Sequence, residues 1–207
     1  DILSLAEELF TQLIEKVTPD KRILKPFPRI NYQEAMEKYG SDKPDLRFGM
    51  EMRDFTDIAA QTNFSVFKNI VADGGCVKGI CAPGCAGYTR TQLEELNQFV
   101  KGYGAGGLLT FALGSESGDI KDLTPDMVKS VASKYMTLEQ IKEMARRVEA
   151  KLGDLLLVVA GKPKIVDKAL GELRREMGGR LKMADPDLLA FAFITNFPLF
   201  TWNEDTK

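Results

Sequence analysis

Residues 154–160, Asp-Leu-Leu-Leu-Val-Val-Ala, decide the fold that this sequence predicts. The six apolar residues predict a strand, and their lack of alternation indicates that it is central or covered on both faces. Residues 163–177 follow at once, with a proline at the start, apolar residues at helical spacing and Gly178-Gly179 as the predicted end. The two segments together predict a buried strand that leads directly into an amphipathic helix.

Before this strand, the sequence predicts a hairpin, a further strand and several helices. Asp73-Gly74-Gly75 separates two apolar runs at 64–72 and 76–82, a pattern typical of two strands joined by a turn. Three threonines begin helices, two of them in capping boxes and one before a proline. The predicted helices cover 90–103, 125–133 and 138–151, and another strand covers 107–113. The expected fold class is therefore α+β, a two-layer antiparallel sheet with helices on one face.

Two segments flank this unit and differ from it in pattern. Residues 2–18 predict an amphipathic helix, 32–39 predict a short helix, and 188–195 return to a strand pattern. The stretch 41–45 places a proline among turn formers and marks a domain boundary. The chain opens already in helical register and closes soon after an aromatic-rich strand. We therefore expect an excerpt from a longer chain, in which the α+β unit is inserted into another domain.

The composition limits the chemistry that these residues can perform. With 207 residues, 44% of them apolar and 28% charged, the chain predicts one or two ordinary globular domains. The formal net charge of −2 gives no overall positive field, so any contact with RNA must be local. The sequence contains no histidine, which excludes a His-based triad, a His general base and a His metal ligand within it. It shows no export signal and no long apolar run, so no membrane role is expected.

The three cysteines, Cys76, Cys81 and Cys85, lie within ten residues of one another. Their spacing lacks the Cys-x2-Cys pattern of structural zinc sites, and three thiolates without histidine do not complete a tetrahedral ligand set. We interpret them as core or loop thiols and expect no metal site here. An odd number of closely spaced cysteines is also typical of a reducing compartment, which favours a cytoplasmic location.

Two glycine-containing turns and one basic helix edge are assigned structural roles. The glycines from Gly102 to Gly107 follow a helix and precede a strand, the reverse of the order in dinucleotide-binding loops. Residues 160–163 join a strand to a helix but lack the full phosphate-loop pattern. We interpret the basic edge as solvated helix surface, with RNA phosphate contact as the alternative. Its members are Lys162, Lys164, Lys168, Arg174 and Arg175.

The candidate site lies in Ser41-Asp42-Lys43-Pro44-Asp45-Leu46-Arg47. It places two carboxylates, one ammonium and one guanidinium around a proline. In one interpretation Asp42, Lys43, Asp45 and Arg47 form a salt-bridged hinge. In the other, Lys43 and Arg47 face a phosphate or carboxylate, oriented by the two aspartates. The spacing alone does not decide between these interpretations.

The same segment carries a family resemblance. Phe-Pro-Arg-Ile at 27–30 and Tyr-Gly-Ser-Asp-Lys-Pro-Asp-Leu-Arg at 39–47 closely resemble the bacterial-type aspartyl-tRNA synthetases, which are class II enzymes. The likeness continues at 99–105, 164–166 and 197–200, so it covers essentially the whole chain in order. In that family the stretch that 39–47 resembles leads from the catalytic domain into an inserted module. That module is similar to the GAD domain, which also occurs in archaeal tRNA-dependent amidotransferases.

The resemblance implies a division of the chain into three parts. Residues 1–45 would be part of the catalytic domain and the hinge, 46–178 the inserted GAD domain, and 179–207 the return into the catalytic domain. The family's ATP-clamping arginines and flanking class II motifs match no position here. We therefore expect this chain alone to be inactive and to hold no cofactor, and we assign it no catalytic residue.

For the longer protein, the resemblance implies an aspartate–tRNA ligase. Such an enzyme activates aspartate with ATP and Mg²⁺ and then esterifies the 3′ end of tRNA, chemistry that depends on positioning and charge neutralisation. A homodimer is implied, and the GAD domain is expected to lie near the tRNA acceptor arm. The alternative is a non-catalytic tRNA-binding GAD module of an amidotransferase, against which the synthetase-like strand at 197–200 argues. Thr201 departs from the family, which commonly has an acidic residue there, and Glu204 or Asp205 is a candidate substitute.

Overall fold

In the computed structural model, which describes residues 1–114 and 117–200, the apolar run at 154–160 forms most of the central strand of a five-stranded sheet. The helices are α1 (Ile2–Val17), α2 (Tyr32–Tyr39), α3 (Thr56–Ala60), α4 (Ser65–Ala72), α5 (Arg90–Gly102), α6 (Leu138–Arg147) and α7 (Pro163–Arg180). The strands are β1 (Arg22–Ile23), β2 (Arg29–Asn31), β3 (Arg53–Asp54), β4 (Cys76–Ala82), β5 (Leu109–Leu113), β6 (Val128–Lys129), β7 (Leu155–Gly161), β8 (Leu188–Leu189) and β9 (Phe193–Thr195). No helix in these described ranges is long and apolar enough to cross a membrane.

The main sheet has the strand order β3-β4-β7-β5-β6, with every neighbouring pair antiparallel. β4 and β7 pair along their whole lengths, from Cys76 opposite Gly161 to Ala82 opposite Leu155. This pairing gives the backbone N–H and C=O groups of the two buried strands their hydrogen-bond partners. The predicted α+β class with an antiparallel sheet is confirmed.

Helices cover both faces of this sheet, whereas the sequence pattern predicts them on one face only. Ile80 and Leu157 pack with α5 and α7, while Val77 and Leu156 belong to a second buried cluster with residues of α3, α4 and α6. The reason is that neighbouring residues of a strand point to opposite faces, and every residue of β4 is buried. A strand without polar alternation needs cover on both sides, as the apolar run in β7 indicates.

The predicted strand at 64–72 is a helix, so the predicted hairpin is wrong. α4 occupies this stretch, with Phe67 only 2% exposed and Val71, one turn later, packed against the same cluster. Short apolar runs fit a strand and a buried helix equally well, and here the spacing of three to four residues decides for the helix. Gly74, with a φ of 76°, lies in the turn that leads into β4.

The predicted helix at 125–133 is wrong, and the last helix ends later than predicted. The stretch 125–133 contains short 3₁₀ turns around β6, because Val128 pairs with Leu113 at the sheet edge and the pairing overrides the local helix signal. The final long helix, α7, continues through Gly178 and Gly179 to Arg180. The glycine at 178 is a packing residue, because a Cβ there would overlap the Phe48 ring.

The two ends of the chain pair with each other beside the main sheet. β1 pairs with β8 and β2 with β9, both in parallel. α1 and α2 match the predicted helices, and α2 is capped by Asn31 at its start and by Gly40, with a φ of 65°, at its end. The residues before and after the main sheet therefore form one flanking unit, in which each strand before the sheet pairs with a strand after it.

Candidate functional site

The candidate site begins where Gly40 ends α2 and the chain turns towards the main sheet. The Ser41 hydroxyl oxygen accepts a hydrogen bond from the Lys43 backbone N–H at 3.0 Å, which closes a local turn. Lys43 Nζ lies 3.5 Å from an Asp42 carboxylate oxygen, and the Lys43 side chain is 86% exposed. A pair this exposed contributes little to stability, so Lys43 stays available to solvent and ligands.

Asp45 and Arg47 form a bidentate ion pair within the same loop. Arg47 Nε and Nη2 donate to the two Asp45 carboxylate oxygens at 2.9 and 2.7 Å. The hydrogen bonds from Arg47 hold the pKa of Asp45 below its ordinary value, and those to Asp45 raise the pKa of Arg47. The structure thus joins Asp45 to Arg47 and Asp42 to Lys43, as in a salt-bridged hinge. A role of these four residues in binding an anion stays a prediction.

A buried arginine on α7 holds the backbone that follows this loop. Arg174 is 2% exposed, and its Nη2 donates to the carbonyl oxygens of Asp45, Phe48 and Gly49 at 2.9, 2.9 and 2.8 Å. Its guanidinium carbon lies 4.9 Å from the Tyr39 ring centre and 4.3 Å from that of Phe48. Burial lowers the pKa of Arg174 from its ordinary value. Contacts with three carbonyls and two rings use the planar shape of a guanidinium, which a lysine cannot reproduce.

The interpretation of Arg174 as part of a solvated basic edge is therefore wrong. Its neighbour Arg175 has a side chain that is 73% exposed and pairs with Glu172, as a surface residue does. The missed signal is the helical register, because Leu170, Leu173 and Met177 are buried and position 174 falls among them. A charged residue on the apolar face of a helix needs a partner, and here the partners are loop carbonyls.

α2 and α7 approach each other closely at a pair of glycines. A Cβ on Gly171 would lie 2.7 Å from the Tyr39 carbonyl oxygen and 3.0 Å from Gly40 Cα. Together with Arg174, this contact fixes the loop at 41–47 against α7. The loop connects the flanking unit to the five-stranded sheet and its helices. A hinge role for this loop stays a prediction.

A second buried charge lies on the central part of the main sheet. Lys78 of β4 is 8% exposed, and its Nζ lies 2.6 Å from an Asp167 carboxylate oxygen on α7. Burial raises the pKa of Asp167 above its ordinary value, while the bond from Lys78 opposes that change. This pair ties α7 to the sheet and was not predicted, because a lysine within an apolar run gives no sign of its partner.

The three cysteines are buried free thiols, as predicted. Burial raises the pKa of Cys76 to about 11 and raises the pKa values of Cys81 and Cys85 as well. A thiol in such surroundings is protonated and unreactive at neutral pH. In the described part of the chain no group of three or more His, Cys, Asp or Glu side chains is arranged to hold a metal ion. Thr201, Glu204 and Asp205 lie outside the described residues.

The five-stranded sheet and the helices packed on it match a known protein family. The GAD domain family model covers residues 67–170, from α4 through the sheet to the first half of α7. The chain belongs to the GAD domain family. The matched range contains β4 to β7 with their helices, while the hinge loop and the flanking unit lie outside it. The GAD domain is thus the part of this chain that Arg174 and Gly171 connect to the hinge.

Curated relatives match the GAD domain together with its flanking segments. The chain is 54% identical over all 207 residues to a protein named aspartate–tRNA(Asp/Asn) ligase from Dehalococcoides mccartyi, of which it covers 35%. A protein of the same name from Moorella thermoacetica is 44% identical over 207 residues, which is 100% of this chain. The one from Symbiobacterium thermophilum is 45% identical over 205 residues, which is 99% of this chain. The chain covers 33% of each of these two proteins. The chain therefore spans about a third of the length of the curated relatives it matches.

Proposed function

We propose that this chain is the insertion-bearing part of an aspartate–tRNA ligase and that its GAD domain helps to place the tRNA acceptor arm. The observation that carries the proposal is that the match to the ligases spans all 207 residues and so includes the flanking unit together with the GAD domain. The parallel pairs β1–β8 and β2–β9 support an insertion, because they join strands that come before the GAD domain in the chain to strands that come after it. An amidotransferase module would give these flanking strands no comparable use.

In this proposal the catalytic groups lie on the rest of the longer protein. We assign ATP and Mg²⁺ to no residue of this chain, and we propose that it contributes position and not chemistry. The buried contacts of Arg174 would set the direction in which the GAD domain projects from the ligase. Three free cysteines without a disulfide suit the reducing cytoplasm, where we place the longer enzyme as a homodimer.

The test separates the two half-reactions of the full-length ligase that contains this chain. The GAD domain is removed from residue 46 to residue 181, because α7 ends at Arg180, and a short Gly/Ser linker replaces it. We expect aspartate-dependent ATP–pyrophosphate exchange to be largely kept, while aspartylation of tRNA falls by about tenfold or more, the loss expected when substrate positioning is impaired.

The retained exchange activity serves as the internal control for a folded active site. A linker variant that loses both half-reactions to the same extent, while circular dichroism shows a folded protein, would contradict a role in tRNA placement. A variant that charges tRNA as well as the parent enzyme would contradict it too.

A further inference from the structure

A cleft of about 330 Å³ opens on the GAD domain where β5 begins and β7 ends, between α4 and the end of α5. Its interior is mostly apolar, with walls formed by Phe64, Val66, Ile70, Leu108 and Val158. Val66 is 50% exposed, so apolar surface is open to solvent at the mouth. A concave apolar site with a few polar groups at its rim is the usual form of a ligand site.

The rim of the cleft carries unused groups that suit an anion. Lys101 lines the cleft, is exposed and forms no ion pair with any described residue, and Glu94, two turns earlier on α5, interacts with it only at longer range. The backbone N–H groups of Gly106 and Gly107 donate no hydrogen bond to a described residue. An ammonium and free backbone N–H groups that line the same cleft can together bind phosphate.

Aromatic surface continues from the cleft wall. The Phe64 ring stacks on Tyr135 with ring centres 5.6 Å apart, and Tyr135 is 41% exposed. Lys134 Nζ lies 5.0 Å from the centre of the Tyr135 ring. Exposed rings next to cations are typical of surfaces that bind single-stranded nucleic acid, because the rings stack with bases and the cations contact phosphates.

We propose that this cleft binds an unpaired nucleotide of RNA, with the base in the apolar interior and its phosphate beside Lys101 and Gly106. The proposal rests on the proposed function, which brings a tRNA to this domain, and adds the place and chemistry of one contact. A flat base suits the apolar walls, and its phosphate can accept hydrogen bonds from the free donors at the rim. An apolar side chain of a protein partner would fill the interior but would leave the rim groups without partners.

The experiment measures binding of a fluorescein-labelled oligoadenylate to the 207-residue chain by anisotropy over a series of salt concentrations. Lys101→Gln removes the rim charge, and Lys68→Gln is its matched control on exposed α4 outside the cleft. Gly106→Val places a side chain at the mouth where an added Cβ has open space, and Gly87→Val is its control at an equally open glycine away from the cleft.

We expect Lys101→Gln to weaken binding by about fivefold and to lower the slope of log Kd against log salt by about one. Gly106→Val is expected to weaken binding at least as much, while both control variants bind as the parent chain does. Equal binding by all four variants would overturn the cleft assignment and leave the proposed function standing. Failure of the parent chain to bind at low salt would overturn it as well.

The failure of the proposed function has a different signature, namely equal loss of both half-reactions in the deletion experiment. A peptide rich in leucine and glutamate that binds the cleft where the oligoadenylate does not would identify a protein-docking site and overturn the nucleotide proposal.

Discussion

Arg174 contacts Phe48 in two ways, through a 2.9 Å hydrogen bond from Nη2 to the Phe48 carbonyl oxygen and through the Phe48 ring, whose centre lies 4.3 Å from the guanidinium carbon. The same ring packs over Gly178, one turn later on α7. Phe48 is therefore held by its backbone and its side chain, and α7 carries both contacts. α7 thus helps to set the direction of the chain after the loop at 41–47.

Replacing Arg174 by Met is expected to lower the free energy of unfolding by about 3 kcal/mol, because three partly buried carbonyl oxygens lose the donor that the buried guanidinium supplies. Arg175→Met is the matched control, since the guanidinium of this neighbouring residue is exposed and pairs with Glu172. Urea unfolding followed by circular dichroism measures both variants. Equal stability of the two would show that the buried hydrogen bonds do not hold the hinge.

Replacing Gly171 by Ala is expected to lower stability by about 2 kcal/mol, because the new Cβ meets backbone atoms of Tyr39 and Gly40 that cannot move aside alone. Gly179→Ala is the control, because Gly179 lies on the same helix and a Cβ added there meets nothing within 4 Å. It is expected to raise stability by up to about 1 kcal/mol, because alanine favours the helix over glycine. Thermal unfolding distinguishes the two, and the same sign for both changes would contradict the close approach of α2 and α7.

Acid is expected to weaken the hinge through Asp45. Its pKa in the folded chain lies below the ordinary value because Arg47 donates to the carboxylate, so the folded state binds fewer protons than the unfolded state. The resulting stability is present above the unfolded pKa and is lost as the pH falls through the folded one.

The check compares urea unfolding of the parent chain and Asp45→Asn between about pH 5 and about pH 3. The stability difference between them should shrink as the pH falls. Asp42→Asn is the control, because it removes a carboxylate from the same loop whose partner Lys43 is exposed. A difference that stays constant over this range would contradict the contribution of the Asp45–Arg47 pair.

The cysteines are expected to resist thiol reagents in the folded chain, because burial raises their pKa values and limits access. An aromatic disulfide reagent at about pH 8 should react with all three only after unfolding in guanidinium. The unfolded chain provides the control for reagent quality and thiol number. Rapid reaction of any thiol in the folded chain would show that its surroundings open easily.

Elements with a local physical cause could be predicted from the sequence. The capping boxes at Thr89 and Thr137 begin α5 and α6, and Gly40 ends α2 in the left-handed conformation. The apolar run at 154–160 forms the expected covered strand. These predictions depend on hydrogen bonds and burial patterns within a few residues, which the sequence contains directly.

The errors fall where distant contacts decide the structure. The stretch 64–72 satisfies both a strand and a helix pattern, and only packing on the sheet selects the helix. Arg174 was placed on the surface because the carbonyls that surround it come from a loop far away in sequence. The candidate loop 41–47 was located from its residue types, but its connection to α7 could be found only from the structure.

The parallel pairs β1–β8 and β2–β9 have a consequence in polymer terms. From the flanking unit, the whole stretch 32–192 is one closed loop whose ends lie on adjacent strands. If this stretch were a random coil, bringing its two ends together would cost a large amount of conformational entropy. When the insertion is folded its ends already lie close together, so most of that cost has been offset by folding of the insertion. The flanking strands should therefore pair more readily after the insertion has folded. A substitution that destabilises the inserted sheet should also weaken the β1–β8 and β2–β9 pairs, although it does not contact them.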